Sequence, residues 1–307
     1  MKLANLQALV AAIDYGSLRN AARNLGLTQP ALTKAIRDLE MELGTRLLLR
    51  SSRGVFPTAQ GQVLNKHALT VLRELASAQE QLRLLSGEQG GELSIAAVPL
   101  AVMLLIPETL RTFGREFPEV KLQVSEELYM AQMQRLRKGD VDVAVGGVPE
   151  GLPTGEFIVE PLLRTTMVVV VQKGSPRAYA QTLAELSDAK WVYTAASSDQ
   201  GYARQLFETN GLPAPRIGAV VNSTLALLSL VSSADYVGLM PEQITRHPAL
   251  APFLSVVPIR EKGLPLEVGV MVRQDASVSP IMRHFIAHLH RAAHHVAQGH
   301  LPMKTST

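Results

Sequence analysis

Apolar residues near the start of the chain recur at the spacing of a helix. They lie on one face of residues 3–14, and a second set follows at Ala21, Ala22, Leu25, Leu32, Ile36 and Leu39. Gly26 interrupts this second set, and glycine permits a tight turn that a side chain would resist. The pattern therefore predicts a helix at 3–14 followed by a helix-turn-helix.

A longer helical run with coiled-coil spacing follows. Thr58 is a suitable N-cap, and the predicted helix continues to about residue 86. Its apolar positions alternate in steps of four and three: Leu64, Ala68, Val71, Leu75, Ala78, Leu82 and Leu85. Such a narrow seam is most simply covered by the same helix of a second copy, although packing on its own domain is the alternative. Residues 86–91, SGEQGG, end the helix and predict a linker.

From residue 92 onward, strand patterns alternate with helical ones. Strands are predicted at 93–98, 120–127, 141–148, 167–172, 191–195, 218–222, 236–240, 254–259 and 265–272. Helices are predicted to about 116, to about 138, near 183–187, and at 200–210, 224–233 and 278–297. This alternation is typical of an α/β fold with a parallel sheet. If the chain crosses twice between two such sets, the sets form two lobes. Residues 265–273 would then return to the sheet of the first lobe.

Composition limits the cellular compartments in which the protein could act and the side-chain chemistry available to it. The 307 residues include no cysteine, which excludes disulfides and thiolate ligands and suits a reducing compartment. The amphipathic N-terminus lacks the basic and continuously apolar segments of a signal peptide, and the apolar runs are too short to span a bilayer. We therefore expect a soluble cytoplasmic protein without a membrane partner.

The distribution of charge points to nucleic acid as a partner. Residues 1–58 hold eight basic side chains against four acidic ones, whereas the chain beyond residue 90 holds nineteen against twenty. The positive excess thus coincides with the helix-turn-helix, as attraction to phosphates requires. This predicts double-stranded DNA as the partner of the N-terminal segment.

The second helix of the predicted helix-turn-helix would enter a major groove. Gln29 and Thr33 lie early in it, where side chains reach base edges. The full set of candidate residues on this helix is Thr28, Gln29, Pro30, Thr33, Lys34 and Arg37. Two helices of an ordinary bundle would be the alternative.

A basic turn between two short apolar runs follows at 46–58, RLLLRSSRGVFPT. It predicts the two-stranded wing of a winged helix. Arg50, Ser51 and Arg53 in its turn would face the DNA backbone or minor groove, where charge binds phosphate with little sequence information. A solvated hairpin tip is the alternative.

The ordered string TQPALTKAIRDLEMELGTRLLLRSSRGVFPTAQG at 28–61, preceded by small residues, resembles the LysR-type transcriptional regulators. The resemblance covers nearly the whole chain and is most specific before residue 65. It implies an α/β protein with a winged helix-turn-helix at 1–57, a dimerisation helix and hinge at 58–91, and an effector domain at 92–307. The effector domain would resemble a periplasmic solute receptor, with lobe one at about 92–163 and 265–307 and lobe two at about 164–264.

The resemblance also implies partners. A homodimer or homotetramer would bind a partly palindromic DNA site, with RNA polymerase as a further partner. A small-molecule effector, such as an organic acid, would bind between the lobes and change how the protomers sit on the DNA. A solute receptor without regulatory duty is the alternative function, and it predicts an export signal.

Strand ends and helix starts that face the predicted cleft supply the candidate effector site, because their backbone N–H groups favour anions. These candidates are Val98, Pro99, Leu100, Glu127, Tyr129, Gly146, Gly147, Thr194, Ser197, Ser198, Asn222 and Ser223. The hydroxyls could equally serve only as helix caps.

At position 98 the chain differs from many members of the family that it resembles. Many members place a Ser or Thr there, before the proline, to hold an effector carboxylate. Val98 offers no hydroxyl, and Glu126, Glu127 and Asp199 add negative charge nearby. A small carboxylate effector is thereby less favoured. The ligand would be less polar, or its anionic group would sit near Ser197 and Ser198.

Signatures of enzymes and metal sites are absent from the sequence. It contains no Gly-x-Ser-x-Gly, no phosphate loop and no His-Glu-x-x-His, so we expect neither an enzyme nor a cofactor. His284, His288, His290 and His294 stand at spacings that could hold a metal. No acidic residue or cysteine joins them in the sequence, which favours a solvated helix face over a metal site.

Overall fold

The computed structural model describes residues 1–51, 54–85, 90–148, 152, 155–194, 201–274 and 278–298. Contacts between residues divide the chain into two compact units, Met1–Glu88 and Gln89–Thr307.

The first unit has the element order predicted for a winged helix-turn-helix. Its elements are α1 (Leu3–Asp14), α2 (Leu18–Asn24), α3 (Gln29–Leu43), β1 (Leu48–Ser51), β2 (Gly54–Pro57) and α4 (Ala59–Leu85). The Thr28 hydroxyl caps α3 by accepting the N–H of Ala31 at 3.3 Å, and α3 ends at Gly44 in the left-handed conformation. The predicted helix boundaries are therefore explained by local capping.

The apolar faces of α1, α2 and α3 meet in one core. Leu9, Leu32, Ile36 and Leu39 are fully buried there. β1 and β2 pair antiparallel to form the wing, with Arg50 opposite Val55. Arg50 and Ser51 therefore belong to β1, which corrects their assignment to the turn.

The base of the wing is tied to the helices on both sides of it. The Glu40 carboxylate on α3 accepts the N–H groups of Leu47 and Leu48, at 2.8 and 3.2 Å. On α4, Gly61 lies so close that an added Cβ would stand 2.0 Å from the Leu47 carbonyl oxygen. Thr58 caps α4 by accepting the N–H of Gly61 at 3.0 Å and donates to the Arg46 carbonyl at 2.8 Å. These contacts fix the start of the wing strand.

The second unit alternates strands and helices. Its elements are β3 (Gly91–Ala97), α5 (Pro99–Leu104), α6 (Ile106–Glu116), β4 (Val120–Glu126), α7 (Tyr129–Lys138), β5 (Val143–Gly147), β6 (Phe157–Gln172), β7 (Trp191–Thr194), α8 (Tyr202–Thr209), β8 (Ile217–Val221), α9 (Thr224–Ser233), β9 (Gly238–Pro241), α10 (Glu242–Thr245), β10 (Leu254–Val256), β11 (Leu264–Arg273) and α11 (Pro280–Ala297).

Seven of these strands form one sheet in the order β10-β6-β11-β5-β3-β4, with β9 also paired to β6. β3 runs parallel to β4 and β5, whereas β11 lies antiparallel between β5 and β6. The predicted return of the late strand to the first sheet is thus confirmed. We call β3–β5 with α5–α7 and α11 the first lobe, and β7–β10 with α8–α10 the second lobe.

Three predicted elements of the second unit differ from the structure. The helix expected to reach residue 116 is two helices, because Pro107 stands in the first turn of α6 and lacks the N–H that would continue α5. The helix expected near 183–187 is only a 3₁₀ turn, Ala184–Leu186. The strand expected at 167–172 begins at Phe157 instead.

Pro161 explains why the first half of β6 was missed. A proline inside a strand pattern argues against a strand because it cannot donate to the sheet. Here the pairing slips between Val268 and Gly269, so that Leu163 and Pro161 face successive residues of β11. An added Cβ on Gly269 would stand 2.9 Å from the Glu160 carbonyl oxygen, so a glycine is required at this irregularity.

Candidate functional site

A cavity of about 830 Å³ opens in the second unit, between its first and second lobes. The ends of β3, β4 and β5 border it on one side, and the ends of β7 and β8 border it on the other. Four helices, α5, α7, α8 and α9, begin at this cavity. None of the four has a side-chain cap, so their first N–H groups are left to backbone geometry, water or a ligand.

Most described members of the predicted effector site line this cavity. They are Val98, Pro99, Leu100, Glu127, Tyr129, Gly147, Thr194 and Asn222. Ser197, Ser198 and Asp199 lie outside the described residues.

Two predicted residues are placed beside the cavity but are not part of its lining. An added Cβ on Gly146 would meet Gln132 Oε1 at 2.5 Å and Val98 Cγ1 at 2.8 Å, so Gly146 faces the fully buried Gln132. Ser223 precedes α9, and its hydroxyl makes no capping hydrogen bond.

The first turns of α8 supply cavity residues that the sequence argument missed. Tyr202, Arg204, Gln205 and Glu208 all line the cavity from this helix. The available signal was the helix predicted at residues 200–210, a few residues after the strand predicted at 191–195, since the start of such a helix faces the same cleft. The apolar wall was missed as well, and it includes Met167, Leu227, Leu239, Met240, Ile244 and Leu266.

Glu127 is held at the first-lobe wall by Arg135. Arg135 Nη1 donates to Glu127 Oε1 and also to the Ser125 hydroxyl, at 2.9 Å. The other carboxylate oxygen, Oε2, is buried and has no hydrogen-bond partner among the residues that the structure describes. A buried acceptor without a donor is costly, so this oxygen is a position where a ligand donor would be favourable.

The second-lobe wall carries an internal ion pair. Arg204 Nε donates to Glu208 Oε1 at 2.7 Å, one helical turn away on α8. Burial raises the pKa of the Tyr202 phenol, and the neighbouring Tyr129 raises it further. Burial likewise raises the pKa of Tyr129. Both phenols therefore stay protonated near neutral pH and can donate hydrogen bonds to a ligand.

In the first unit, the predicted DNA-contacting residues share one face of α3. Gln29, Pro30, Thr33, Lys34 and Arg37 border one concave stretch of surface, together with Asp38 and Met41. The last two were missed, although each stands four residues beyond Lys34 or Arg37 and so on the same helix face. The hydroxyl of Thr28 serves as the cap of α3.

The wing carries the remaining predicted DNA contacts. Arg50 is exposed on β1, next to Ser51. Arg53 lies outside the described residues.

Part of the predicted coiled-coil seam on α4 is exposed in the single chain. Val71 is 49% exposed, Leu75 40% and Leu82 64%, whereas Ala68 is buried in the core of the first unit. The side chain of Leu85 lies outside the described part of the chain. An exposed apolar stripe of this kind is typical of a helix that associates with another copy.

The histidines of α11 are not a purely solvated face, which corrects the sequence argument. His288 is buried, and its two ring nitrogens contact Glu116 at 3.0 Å and Thr112 at 2.8 Å. His284 lies 3.6 Å from the same Glu116 carboxylate. Sequence spacing could not reveal this acidic neighbour, because Glu116 lies on α6. Within the described residues, no group of three or more such side chains has the arrangement of a metal site.

No helix in the described part of the chain is both long and apolar enough to cross a membrane.

Comparison with known proteins identifies both units. The family model described as "Bacterial regulatory helix-turn-helix protein, lysR family" matches residues 3–62. The model described as "LysR substrate binding domain" matches residues 86–294, which is more than half of the chain.

Relatives and solved structures match over most of the chain. The transcriptional regulator GbpR of Azospirillum brasilense is 29% identical over 297 residues, covering 95% of this chain and 87% of GbpR. TdcA of Escherichia coli K12 is 28% identical, covering 87% of this chain and 83% of TdcA. The crystal structure of CbnR, a LysR family transcriptional regulator, matches with a TM-score of 0.65 at 21% identity, covering 95% of this chain and 99% of CbnR. A full-length OxyR variant from Pseudomonas aeruginosa matches with a TM-score of 0.68 at 20% identity, covering 95% of this chain and 94% of the OxyR chain.

Proposed function

Because the chain belongs to the LysR family of transcriptional regulators, we propose that α3 reads its DNA site and that a small molecule in the cavity controls this binding. The observation that carries the proposal is the pairing of an exposed polar helix face in one unit with a sizeable cavity in the other. The family match supports this function over that of a solute receptor without regulatory duty.

The DNA contacts fall into two classes in this proposal. Gln29 and Thr33 stand in the first turns of α3, where side chains reach base edges in a major groove. Arg50 on the wing, with Ser51 and Arg53, contacts the phosphate backbone or minor groove. Thr28 and Pro30 set the start of the helix, and Lys34 and Arg37 add positive charge along the same face. The solved complex of full-length CbnR with its target DNA, at a TM-score of 0.52 and 23% identity, shares this fold.

Replacing Gln29 with alanine is expected to relax sequence preference at one or two base pairs, with a loss of ~1–3 kcal/mol per base contact. Fluorescence anisotropy on specific and scrambled duplexes would measure it. The matched control is Gln7→Ala, which removes an exposed glutamine from α1. If Gln29→Ala keeps both affinity and preference, α3 does not read the bases.

Replacing Arg50 with alanine is expected to weaken binding to every duplex about equally. A phosphate contact carries no sequence information, and its loss should reduce the slope of log affinity against log salt by about one unit. Titrations at several salt concentrations would test this, with Arg115→Ala on α6 as the control for net charge. A loss confined to the specific duplex would instead assign Arg50 to base recognition.

Assembly follows from the seam on α4. A second copy would cover this stripe, giving a homodimer or homotetramer on a partly palindromic site. In this arrangement residues 1–57 bind DNA, 58–91 join the copies, and 92–307 bind the effector. The protein would act in the cytoplasm, where RNA polymerase is the further partner of a transcriptional regulator. Effector binding between the lobes would change the placement of the protomers and so the occupancy or bend of the DNA.

A further inference from the structure

The charged side chains on the wall of the cavity are mostly acidic. Glu126, Glu127 and Glu208 line it, and Arg204 is the single basic side chain among the described lining residues. Carboxylates at a partly enclosed wall repel an anion and attract a cation, more strongly once a ligand displaces the water between them. Val98 adds no hydroxyl that could offset this repulsion.

Two guanidinium groups near the cavity are engaged with carboxylates. Arg204 donates to Glu208, and Arg135, which is not among the lining residues, donates to Glu127. An anionic ligand would have to compete with these ion pairs. Displacing Arg135 would leave the largely buried carboxylate of Glu127 without its counter-charge, which is unfavourable.

Glu127 offers a specific position for a donor. Its side chain is only 15% exposed, one oxygen is held by Arg135, and Oε2 has no hydrogen-bond partner in the described part of the structure. An ammonium group brings up to three N–H donors and a positive charge, and a carboxylate brings neither. A cationic ligand in contact with this carboxylate would therefore bring donors that the described residues do not provide to the buried Oε2.

Two tyrosines approach each other across the cavity. Tyr129 begins α7 in the first lobe, and Tyr202 begins α8 in the second lobe. The Tyr202 hydroxyl lies 3.9 Å from the point where a Cβ on Gly147 would stand, so this side chain reaches the first-lobe wall. The faces of aromatic rings attract cations, and aromatic side chains are used to recognise quaternary ammonium ligands.

From these observations we infer that the cavity selects a small amine, with its ammonium group against Glu127 and the tyrosines and an apolar body against Met167, Leu239 and Leu266. The inference rests on the proposed role of the cavity as the effector site and names the chemical class that this site takes. The apolar wall excludes a very polar ligand, because its hydration would be lost without replacement.

The first test uses probes that share one body and differ only in the polar group. Binding of 2-phenylethylamine, 2-phenylethanol and 3-phenylpropionate to the full-length protein would be measured by calorimetry and thermal shift. A parallel set of hexylamine, hexanol and hexanoate would show whether the body must be aromatic. We expect the amine to bind about ten- to a hundredfold more tightly than the matched acid, as one charge-assisted contact provides.

Substitutions then test which residue causes the preference for amines. Glu127→Gln should remove most of the amine preference, because it keeps the shape and loses the charge. Glu119→Gln is the matched control, since this exposed carboxylate lies near the opposite end of β4 from the cavity. Thr224→Trp, which places an indole at the cavity wall, should weaken all probes alike. Circular dichroism would confirm that the variants fold.

The outcomes separate this inference from the proposed function. An acid that binds more tightly than its amine, a preference unchanged in Glu127→Gln, or no binding of any amine at millimolar concentration would overturn the amine assignment. If the acids bind and Thr224→Trp weakens them, the cavity is still the effector site. If Thr224→Trp leaves all binding intact, the ligand sits elsewhere and the proposed function of the cavity also fails.

Discussion

Replacing Gly61 with alanine is expected to destabilise the first unit by about 3 kcal/mol or more and to abolish specific DNA binding. The new Cβ would stand 2.0 Å from the Leu47 carbonyl oxygen, which is backbone and cannot rotate away. Either α4 or the base of the wing must shift. The shift would also disturb the contacts of Glu40 with Leu47 and Leu48, which tie the wing to α3.

Gly114→Ala is the matched control, because Gly114 also lies inside a helix but has nothing within 4 Å of its added Cβ. Alanine favours the helix over glycine, so this variant should be stabilised by ~0.5–1 kcal/mol. Scanning calorimetry and limited proteolysis of the purified chain would show that Gly61→Ala lowers the stability and that Gly114→Ala raises it. A Gly61→Ala protein that unfolds like wild type and binds its operator would mean that α4 and the wing pack less closely than the 2.0 Å approach indicates.

The first unit could be predicted closely because its signals are local. The helical spacing of Leu32, Ile36 and Leu39 and the cap at Thr28 lie within a few residues of the structure that they determine. The close approach of Gly61 to Leu47 could not be predicted in the same way. It depends on where α4 passes the wing, and nothing in the surrounding residues specifies that distance.

In the second unit, the order of strands and helices could be predicted, but the pairing of the strands could be predicted less well. Pro161 made half of β6 unrecognisable, because the irregularity that accommodates it involves Gly269 on a strand about a hundred residues away. The histidine cluster shows the same limit, since Glu116 reaches His288 from another helix. Contacts between distant segments leave no periodic trace in the sequence.

The cavity was predicted from strand ends, so its strand-end residues, such as Val98, Glu127 and Thr194, were found. Strand ends do not identify Tyr202, Arg204 and Glu208, because these residues lie on α8, which begins several residues after β7. Their chemistry matters for the ligand. Arg204 and Glu208 form an ion pair, and Glu127 Oε2, which has no hydrogen-bond partner among the described residues, can be recognised only once the contact with Arg135 is known.

Replacing Leu75 with glutamate is expected to separate the protomers and to abolish specific DNA binding. Leu75 lies in the middle of the seam on α4 and is 40% exposed in the single chain, together with Val71 and Leu82. Burying one leucine against a partner contributes ~1.5–3 kcal/mol, and a dimer buries two. Losing both should raise the dissociation constant at least about a hundredfold, before the repulsion between two buried charges is counted.

Light scattering coupled to size exclusion, across a range of protein concentrations, would measure this dissociation, and anisotropy on the operator would measure the loss of DNA binding. The control is Ala76→Glu, which adds the same charge at an exposed position one residue outside the seam. It should leave both the mass and the affinity unchanged. In the proposed dimer each copy would read one half-site, so a monomeric Leu75→Glu protein should retain only weak, salt-sensitive binding. A variant that stays dimeric and binds its operator would show that α4 packs within its own protomer and that the copies associate elsewhere.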